Sequence, residues 1–159
     1  PIDLIYSWNK ENLDERVSNE SFNFWPNIMG SLGPIPWYAN DWKDEFESIS
    51  GLDRIIKSIS HLIYLQDRSL ASLSKIQKQQ ILTIKYEDVV ENTHIVIDKI
   101  GSFLETTPLK NIDKVLQKEN CPRPISLKEH NKKEKYILKK ASSKYVQIMN
   151  EISKNYSIL

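Results

Sequence analysis

The chain has 159 residues, of which 40% are hydrophobic and 27% are charged, as in an ordinary globular domain rather than a disordered or fibrous chain. Its 22 Lys and Arg residues against 21 Asp and Glu residues give a net charge of +1, which argues against nucleic-acid binding through bulk charge. The single cysteine, Cys121, excludes an intramolecular disulfide framework and a multi-cysteine zinc site, and it fits a reducing compartment. No apolar run approaches the roughly 20 residues of a membrane-spanning helix.

The first segment of the chain predicts a helix from residue 1 to about residue 15. Pro1 suits a first helical position, because the N–H that it lacks would be unpaired there. Leu4, Ile5 and Trp8 share one face of this helix. The chain begins with proline directly in an apolar pattern, so we expect a fragment or a processed product.

Residues 17–50 predict a long irregular loop, because prolines and glycines interrupt any periodic pattern there. The loop is rich in aromatic side chains, which are Phe22, Phe24, Trp25, Trp37, Tyr38, Trp42 and Phe46. Ordered loops of this length usually act as lids or binding loops. An acceptor site lined by Trp37 and Tyr38 is one hypothesis for this loop, and packing of both rings onto the core is the alternative.

A long helix is predicted to follow the loop, and a strand to follow the helix. Ser50 and Asp53 have the spacing of a capping box, and apolar residues recur every three or four positions to about residue 75. Residues 80–86 form a short run rich in β-branched and aromatic residues, which predicts one clear strand. Because a lone strand leaves its backbone groups unpaired, we expect its sheet partners outside this chain.

The rest of the chain predicts helices joined by short loops. Helices are expected over residues 93–105 and 108–118, followed by a rigid loop over 120–124 with two prolines. A second capping box at Ser126 predicts one last helix. Residues 127–144 carry seven lysines against two glutamates, which for most of these lysines indicates a solvated helix face.

No catalytic or metal-binding motif is apparent by itself. His61, His94 and His130 have no ligand spacing with one another or with carboxylates. The glycine patterns of phosphate-binding loops and of the nucleophile elbow are missing, and no nucleophile is paired with a base.

Two segments, taken in their order along the chain, resemble one family. Ser7 stands six residues after Pro1 in a helix, and Tyr86-Glu87-Asp88 precedes a helix that ends in Phe103-Leu104. This order resembles the C-terminal half of the PAPS-dependent sulfotransferases, where a proline closes a strand six residues before a serine. That family also has a strand ending in Tyr-Glu-Asp and a following helix ending in Phe-Leu.

The resemblance implies an α/β fold, with residues 1–159 as one partial domain. This part would be the mostly helical C-terminal half of a P-loop-like domain with a parallel sheet, with nucleotide at the C-terminal edge of the sheet. The implied reaction transfers a sulfuryl group from 3′-phosphoadenylyl sulfate (PAPS) to a hydroxyl or amine without a metal. The phosphosulfate-binding loop and the base are expected upstream, so this chain alone is expected to be inactive. A cytoplasmic enzyme of the bacterial type is expected.

The resemblance also implies roles for individual residues. Ser7 matches the serine that binds the nucleotide 3′-phosphate, and Tyr86 matches the tyrosine beside the adenine. Arg123 falls where a later nucleotide-contacting loop is expected, although the Arg-Lys-Gly motif of the cytosolic members is absent. A solvated helix serine and a core tyrosine are the alternatives for the first two. Trp37 and Tyr38 remain the acceptor-site residues, with a carbohydrate as one expected acceptor.

A non-enzymatic helical module that binds a partner protein is the rival interpretation. A relative of the P-loop kinases would require a magnesium-binding acid that the sequence does not identify. The expected partners are a nucleotide donor and a small-molecule or glycan acceptor, with no nucleic acid and no membrane span.

Overall fold

The computed structural model describes residues 1–11 and 26–158, and most of these residues lie in helices. The helices are α1 (Ile2–Lys10), α2 (Lys43–Ser48), α3 (Gly51–Ser72), α4 (Lys75–Gln79), α5 (Tyr86–Glu91), α6 (Thr93–Phe103), α7 (Ile112–Lys118), α8 (Leu127–Lys140) and α9 (Ser143–Ile158). A 3₁₀-helix covers Trp37–Trp42, and two short strands, β1 (Asn27–Met29) and β2 (Pro34–Pro36), pair in antiparallel fashion. The expectation of a mostly helical part of an α/β domain is therefore confirmed.

The chain divides into two compact units that are not both continuous in sequence. The first unit combines residues 1–71 with residues 128–159, and the second contains residues 72–127. The first unit is thus assembled from both ends of the chain.

The core of the first unit is built by α1, α3, α8 and α9. Its most deeply buried side chains are aliphatic, and each is at most 2% exposed; they are Ile5, Ile55, Ile56, Ile137 and Met149. Full burial of one such side chain stabilises the fold by roughly 1.5–3 kcal/mol relative to exposure. The three- and four-residue spacing that predicted α3 places its isoleucines on this buried face.

A second apolar cluster of the first unit lies in the segment that the sequence predicted to be irregular. Ile28 pairs with Ile35 in the β1–β2 hairpin, and Ile35 is buried with Tyr38 and Trp42. The prediction of an irregular loop is wrong for residues 27–48, because aromatic residues four apart at positions 38, 42 and 46 pack together as helical turns. Residues 17–25 of the predicted loop lie outside the described residues.

The predicted last helix is in fact two helices, α8 and α9, and a buried carboxylate from α3 stands at the break. Asp53 is 6% exposed, and its Oδ1 accepts a hydrogen bond from the Ser142 N–H over 2.9 Å. Ser50 Oγ accepts from the Asp53 N–H over 3.4 Å, as expected for the first half of a capping box. The side chain of Asp53, by contrast, bonds to the residue before α9, 89 positions later.

The strand predicted over residues 80–86 is not formed. Residues 81–85 are irregular, and Tyr86 already begins α5. A β-ladder requires a second segment, and the only pairing among residues 1–11 and 26–158 joins β1 to β2. The short helix α4, which starts with a full capping box at Ser74 and Gln77, was not predicted.

An ionic cluster fixes α2 within the first unit. Glu45 Oε1 accepts hydrogen bonds of 2.5 Å from Lys144 Nζ and from the Tyr145 hydroxyl, and Lys57 Nζ lies 3.6 Å from Oε2. The bonds from Lys144 and Tyr145 lower the pKa of Glu45 from 4.5 to about 2, although partial burial opposes them. The cluster therefore joins α2 to α3 and α9 through a carboxylate that favours its ionised form.

The first prediction concerns the contact between α3 and the start of α9. Asp53→Ala should lower the free energy of unfolding by about 1.5–3 kcal/mol, the range for a hydrogen bond to a charged group. Asp53→Asn keeps a side-chain carbonyl oxygen and should lose less. Urea unfolding measures both, with the exposed Asp67→Ala on the same helix as the control. Equal losses for Asp53→Ala and Asp67→Ala would contradict the capping role.

The second prediction concerns acid stability. Because the pKa of Glu45 is lowered in the fold, its stabilisation is complete above pH 4.5 and is lost as the pH falls from 4.5 to about 2. Glu45→Gln should be less stable than the wild type at pH 7 and should lose less stability across that acid window. Unfolding in urea at a series of pH values tests this. The exposed Glu151→Gln should follow the wild type; a Glu45→Gln curve parallel to both would refute the assignment.

Candidate functional site

Ser7 is an exposed residue of α1, where it is the sixth residue of the helix. Its backbone carbonyl accepts from the Glu11 N–H over 3.0 Å, so the helix continues past it. Ser7 therefore does not lie beside the unpaired N–H groups of α1, because those groups belong to the first turn of a helix. An anion bound by Ser7 would be held by the hydroxyl and by neighbouring side chains rather than by the helix N-terminus.

A charged contact holds α1 against α8, one turn before Ser7. Asp3 Oδ2 lies 2.6 Å from His130 Nδ1, and Asp3 Oδ1 accepts a 2.5 Å bond from Lys133 Nζ. Burial would raise the pKa of Asp3, but the hydrogen bonds from Lys133 and His130 outweigh it and lower that pKa. Because Asp3 and Ser7 are four residues apart, they lie on the same side of α1. The contact therefore fixes the part of the helix that carries the Ser7 hydroxyl.

Aromatic contacts extend this attachment along α1. The rings of Tyr6 and Tyr136 meet edge to face with centroids 5.5 Å apart, and Lys133 Nζ lies 5.9 Å from the centroid of the Tyr6 ring. Asn9 Nδ2 donates to the Tyr136 hydroxyl over 3.2 Å. The sequence showed no local signal for these contacts, because the partners are about 130 residues apart.

Tyr86 is the first residue of α5, and its side chain is 63% exposed. The alternative of a core tyrosine is therefore wrong. The preceding Lys85 has extended backbone torsions, so the chain enters α5 directly from the irregular segment. An exposed ring at this position is available to stack on a flat ligand such as a purine.

Arg123 is occupied mainly by bonds within the second unit. Its Nη1 donates to the carbonyl oxygens of Glu119 and Asn120 over 3.3 and 3.1 Å, near the C-terminus of α7. The Arg123 N–H donates to the Val90 carbonyl over 2.9 Å, which joins its loop to the end of α5. Within this unit the same contact links Arg123 to the helix that begins with Tyr86. The hydrogen bonds of Nη1 stabilise the loop after α7. That Arg123 also binds phosphate remains a prediction.

The two residues predicted for the acceptor site differ in exposure. Trp37 is 46% exposed, whereas Tyr38 is 8% exposed and its side chain is hydrogen-bonded to Ser58. Burial raises the pKa of Tyr38. Their rings meet edge to face at 5.9 Å. Trp37 thus has a free ring surface, while Tyr38 supports it from the core.

His61 on α3 packs against an aromatic residue of the 3₁₀-helix and against one of its own helix. The His61 ring lies 6.2 Å from that of Trp42 and 5.8 Å from that of Tyr64, which is 54% exposed. Burial lowers the pKa of His61. The negative charge of Asp41 opposes this shift, and the positive charge of Lys57 adds to it. The ring contacts of His61 indicate a role in packing.

The residues predicted for one site are divided between the two units. Ser7, Trp37 and Tyr38 belong to the first unit, and Tyr86 and Arg123 belong to the second. Within the described ranges, no group of three His, Cys, Asp or Glu side chains could hold a metal ion.

A shallow depression in the second unit is a separate feature. It has a volume of about 610 Å³ and surrounds the C-terminal turn of α6, with Asp98, Gly101, Glu105 and Thr106 among its lining residues. A Cβ atom on Gly101 would lie 2.8 Å from the Thr106 carbonyl oxygen, so only glycine allows this close turn. None of the predicted site residues lines it.

Comparison with known proteins gives one match. A family model described as the sulfotransferase domain matches residues 64–156, which is more than half of the chain. No curated protein and no solved structure gives a significant match. Over the part of the chain that the structure describes, no helix is long and apolar enough to cross a membrane.

The matched range includes two of the features that first pointed to a family. Tyr86-Glu87-Asp88 and Phe103-Leu104 both lie inside it, as does Arg123, while Ser7 and Trp37 precede it. The resemblance seen in the sequence is thereby confirmed, and the chain belongs to the sulfotransferase-domain family, of which it carries a C-terminal portion.

Proposed function

We propose that the protein transfers a sulfuryl group from PAPS to a hydroxyl or amine acceptor. The match of the sulfotransferase domain to residues 64–156 is the observation that carries this proposal. It also weighs against the rival interpretation, a non-enzymatic helical module. When bound, the donor supplies the sulfuryl group and departs as 3′-phosphoadenosine 5′-phosphate.

Ser7 would hold the 3′-phosphate through its hydroxyl. The side chain is exposed, and α1 is fixed one turn earlier by the contacts of Asp3 with His130 and Lys133. A hydroxyl on a fixed helix loses little freedom when it donates to a phosphate oxygen, which favours binding. In this arrangement the N-terminus of α1 does not contribute to phosphate binding, because Ser7 lies in the second turn of the helix.

Tyr86 would border the adenine, and Arg123 would stabilise the adjoining loop. The Tyr86 ring is exposed at the start of α5, and Arg123 bonds to the end of the same helix through Val90. Arg123 would therefore act on the nucleotide chiefly by holding α5 and its loop in place. We also propose that another N–H group of the Arg123 guanidinium donates a hydrogen bond directly to a phosphate of the nucleotide.

Trp37 and Tyr38 would form part of the acceptor site. The exposed face of Trp37 suits the apolar face of a sugar ring or an aromatic acceptor, and the buried Tyr38 fixes its orientation. A carbohydrate hydroxyl is the acceptor that we propose.

The acceptor's proton and the charge on the leaving phosphate require further groups. His61 is packed against the rings of Trp42 and Tyr64, and His130 bonds to Asp3 in the contact that holds α1 against α8. We further propose that the base and the phosphosulfate loop lie outside residues 1–159 and that this chain alone is not catalytic. A cytoplasmic location of the enzyme is a separate part of the proposal.

The third prediction tests Ser7. Ser7→Ala should weaken binding of 3′-phosphoadenosine 5′-phosphate by about 1.5–3 kcal/mol, because it removes a hydrogen bond to a charged group. Binding of adenosine 5′-phosphate, which lacks the 3′-phosphate, should be unchanged. Titration calorimetry on the full-length protein compares the two ligands, with the exposed Ser143→Ala as the matched control. An equal loss for both nucleotides would remove Ser7 from the 3′-phosphate site.

The fourth prediction tests Tyr86. Tyr86→Ala should weaken nucleotide binding by about 1–3 kcal/mol, the range for stacking of a base on an aromatic ring. Because the side chain is 63% exposed, the melting temperature should hardly change. The exposed Tyr64→Ala, in the first unit, should leave nucleotide affinity unchanged. A large drop in melting temperature with unchanged affinity would show a structural role instead.

A further inference from the structure

The outer face of α8 carries a row of lysines. Lys128, Lys132, Lys135 and Lys139 are all exposed, and their spacing of four, three and four residues places them on one side of the helix. At a rise of 1.5 Å per residue, the row is roughly 16 Å long. Ile137, which is 0% exposed, lies on the opposite side of the same helix. The row therefore points away from the core of the first unit.

Among residues 1–11 and 26–158, no acidic side chain forms an ion pair with these four ammonium groups. Two other lysines of this region differ: Lys133 is paired with Asp3, and Lys144 is paired with Glu45. The lysines of the row make no ion pair with any residue in the described part of the chain. Such exposed lysine side chains are accessible to an external anion.

The charge of the chain is also distributed unevenly. Residues 127–144 contain seven lysines and two glutamates, a charge of +5. Since the whole chain has a charge of +1, the remaining residues sum to −4. The two glutamates of this segment lie off the row: Glu129 is one turn before Lys133, whose charge it faces, and Glu134 is three residues before the buried Ile137. Such an asymmetry orients the molecule toward a negative surface.

Apolar side chains border the row on both sides. Leu138 is 44% exposed on one side, and the ring of Tyr136 is 39% exposed on the other. Tyr136 is fixed by its contacts with Tyr6 and Asn9, so its exposed edge has a defined position. A tyrosine ring with its hydroxyl suits the boundary between water and lipid.

We infer that this face of α8 docks onto the surface of a membrane that contains anionic lipids. The lysines, one helical turn apart, would meet phosphate and carboxylate headgroups, while Leu138 and Tyr136 would enter the interface beside them. A soluble polyanion would use the lysines but would leave the exposed leucine without a role. The lipid surface accounts for both the charged row and its apolar borders, and the inference does not depend on the proposed enzymatic reaction.

The fifth prediction is a vesicle-binding experiment. The full-length protein is sedimented with vesicles of phosphatidylcholine alone or of phosphatidylcholine mixed with phosphatidylserine. Binding should require phosphatidylserine and should weaken at high salt. The double variant Lys135→Gln/Lys139→Gln should bind about 25-fold more weakly, since each lysine near an anionic surface contributes about fivefold. The variant Lys110→Gln/Lys114→Gln removes the same charge from exposed positions of the second unit and should bind like the wild type.

Two further measurements distinguish a lipid surface from a soluble polyanion as the binding partner of this face of α8. Leu138→Gln should reduce the binding that remains at high salt, where charge attraction is screened and the apolar contact persists. Equal binding of the two lysine double variants would overturn the proposal. So would binding to heparin or to single-stranded DNA without binding to the vesicles. All the substituted side chains are exposed, so unchanged melting temperatures check that each variant is folded.

Discussion

The first unit depends on contacts between the two ends of the chain. Ile5 of α1 and Ile137 of α8 share one buried cluster, and Asp3 bonds to His130 and Lys133 beside it. The apolar cluster supplies most of the stabilisation, because partly exposed ion pairs contribute little by themselves. The charged contacts instead fix how α1 lies on α8, and this orientation determines where the exposed Ser7 hydroxyl stands.

In residues 27–48, too, buried side chains hold the fold while an exposed side chain is available to a ligand. The cluster of Tyr38, Trp42 and Phe46 turns a proline-rich stretch into a hairpin and helical turns. Trp37 then extends from this frame with nearly half of its surface free. Residues of one short segment thus divide into those that hold the fold and one that is available to a ligand.

Much of the fold was predictable wherever one element is amphipathic by itself. The spacing of the apolar residues predicted α3 and α6 to within three residues at each end. The strand at residues 80–86 was mispredicted because a short apolar run specifies no partner, and strand formation is decided by pairing. The break between α8 and α9 was also missed, since the carboxylate that bonds at the break comes from α3, 89 residues earlier.

For the candidate site, the family was predictable from the sequence, but the surroundings of its side chains were not. The order of its motifs indicated the family, which the match to residues 64–156 confirms. The surroundings of each side chain were not predictable, because they arise from contacts between distant residues. The bonds of Asp3 to His130 and Lys133, which fix the helix that carries Ser7, join residues 127 and 130 positions apart.

The discontinuous first unit has a consequence for biosynthesis. Residues 1–71 contain α1 and α3, but their apolar faces are completed only by α8 and α9, which are translated after the whole second unit. A ribosome adding about 5–20 residues per second needs several seconds to cover that interval. Throughout it, the isoleucines of α1 and α3 lack their final partners and are open to chaperones. The second unit, by contrast, is continuous in sequence and has all its residues available before the first unit can close.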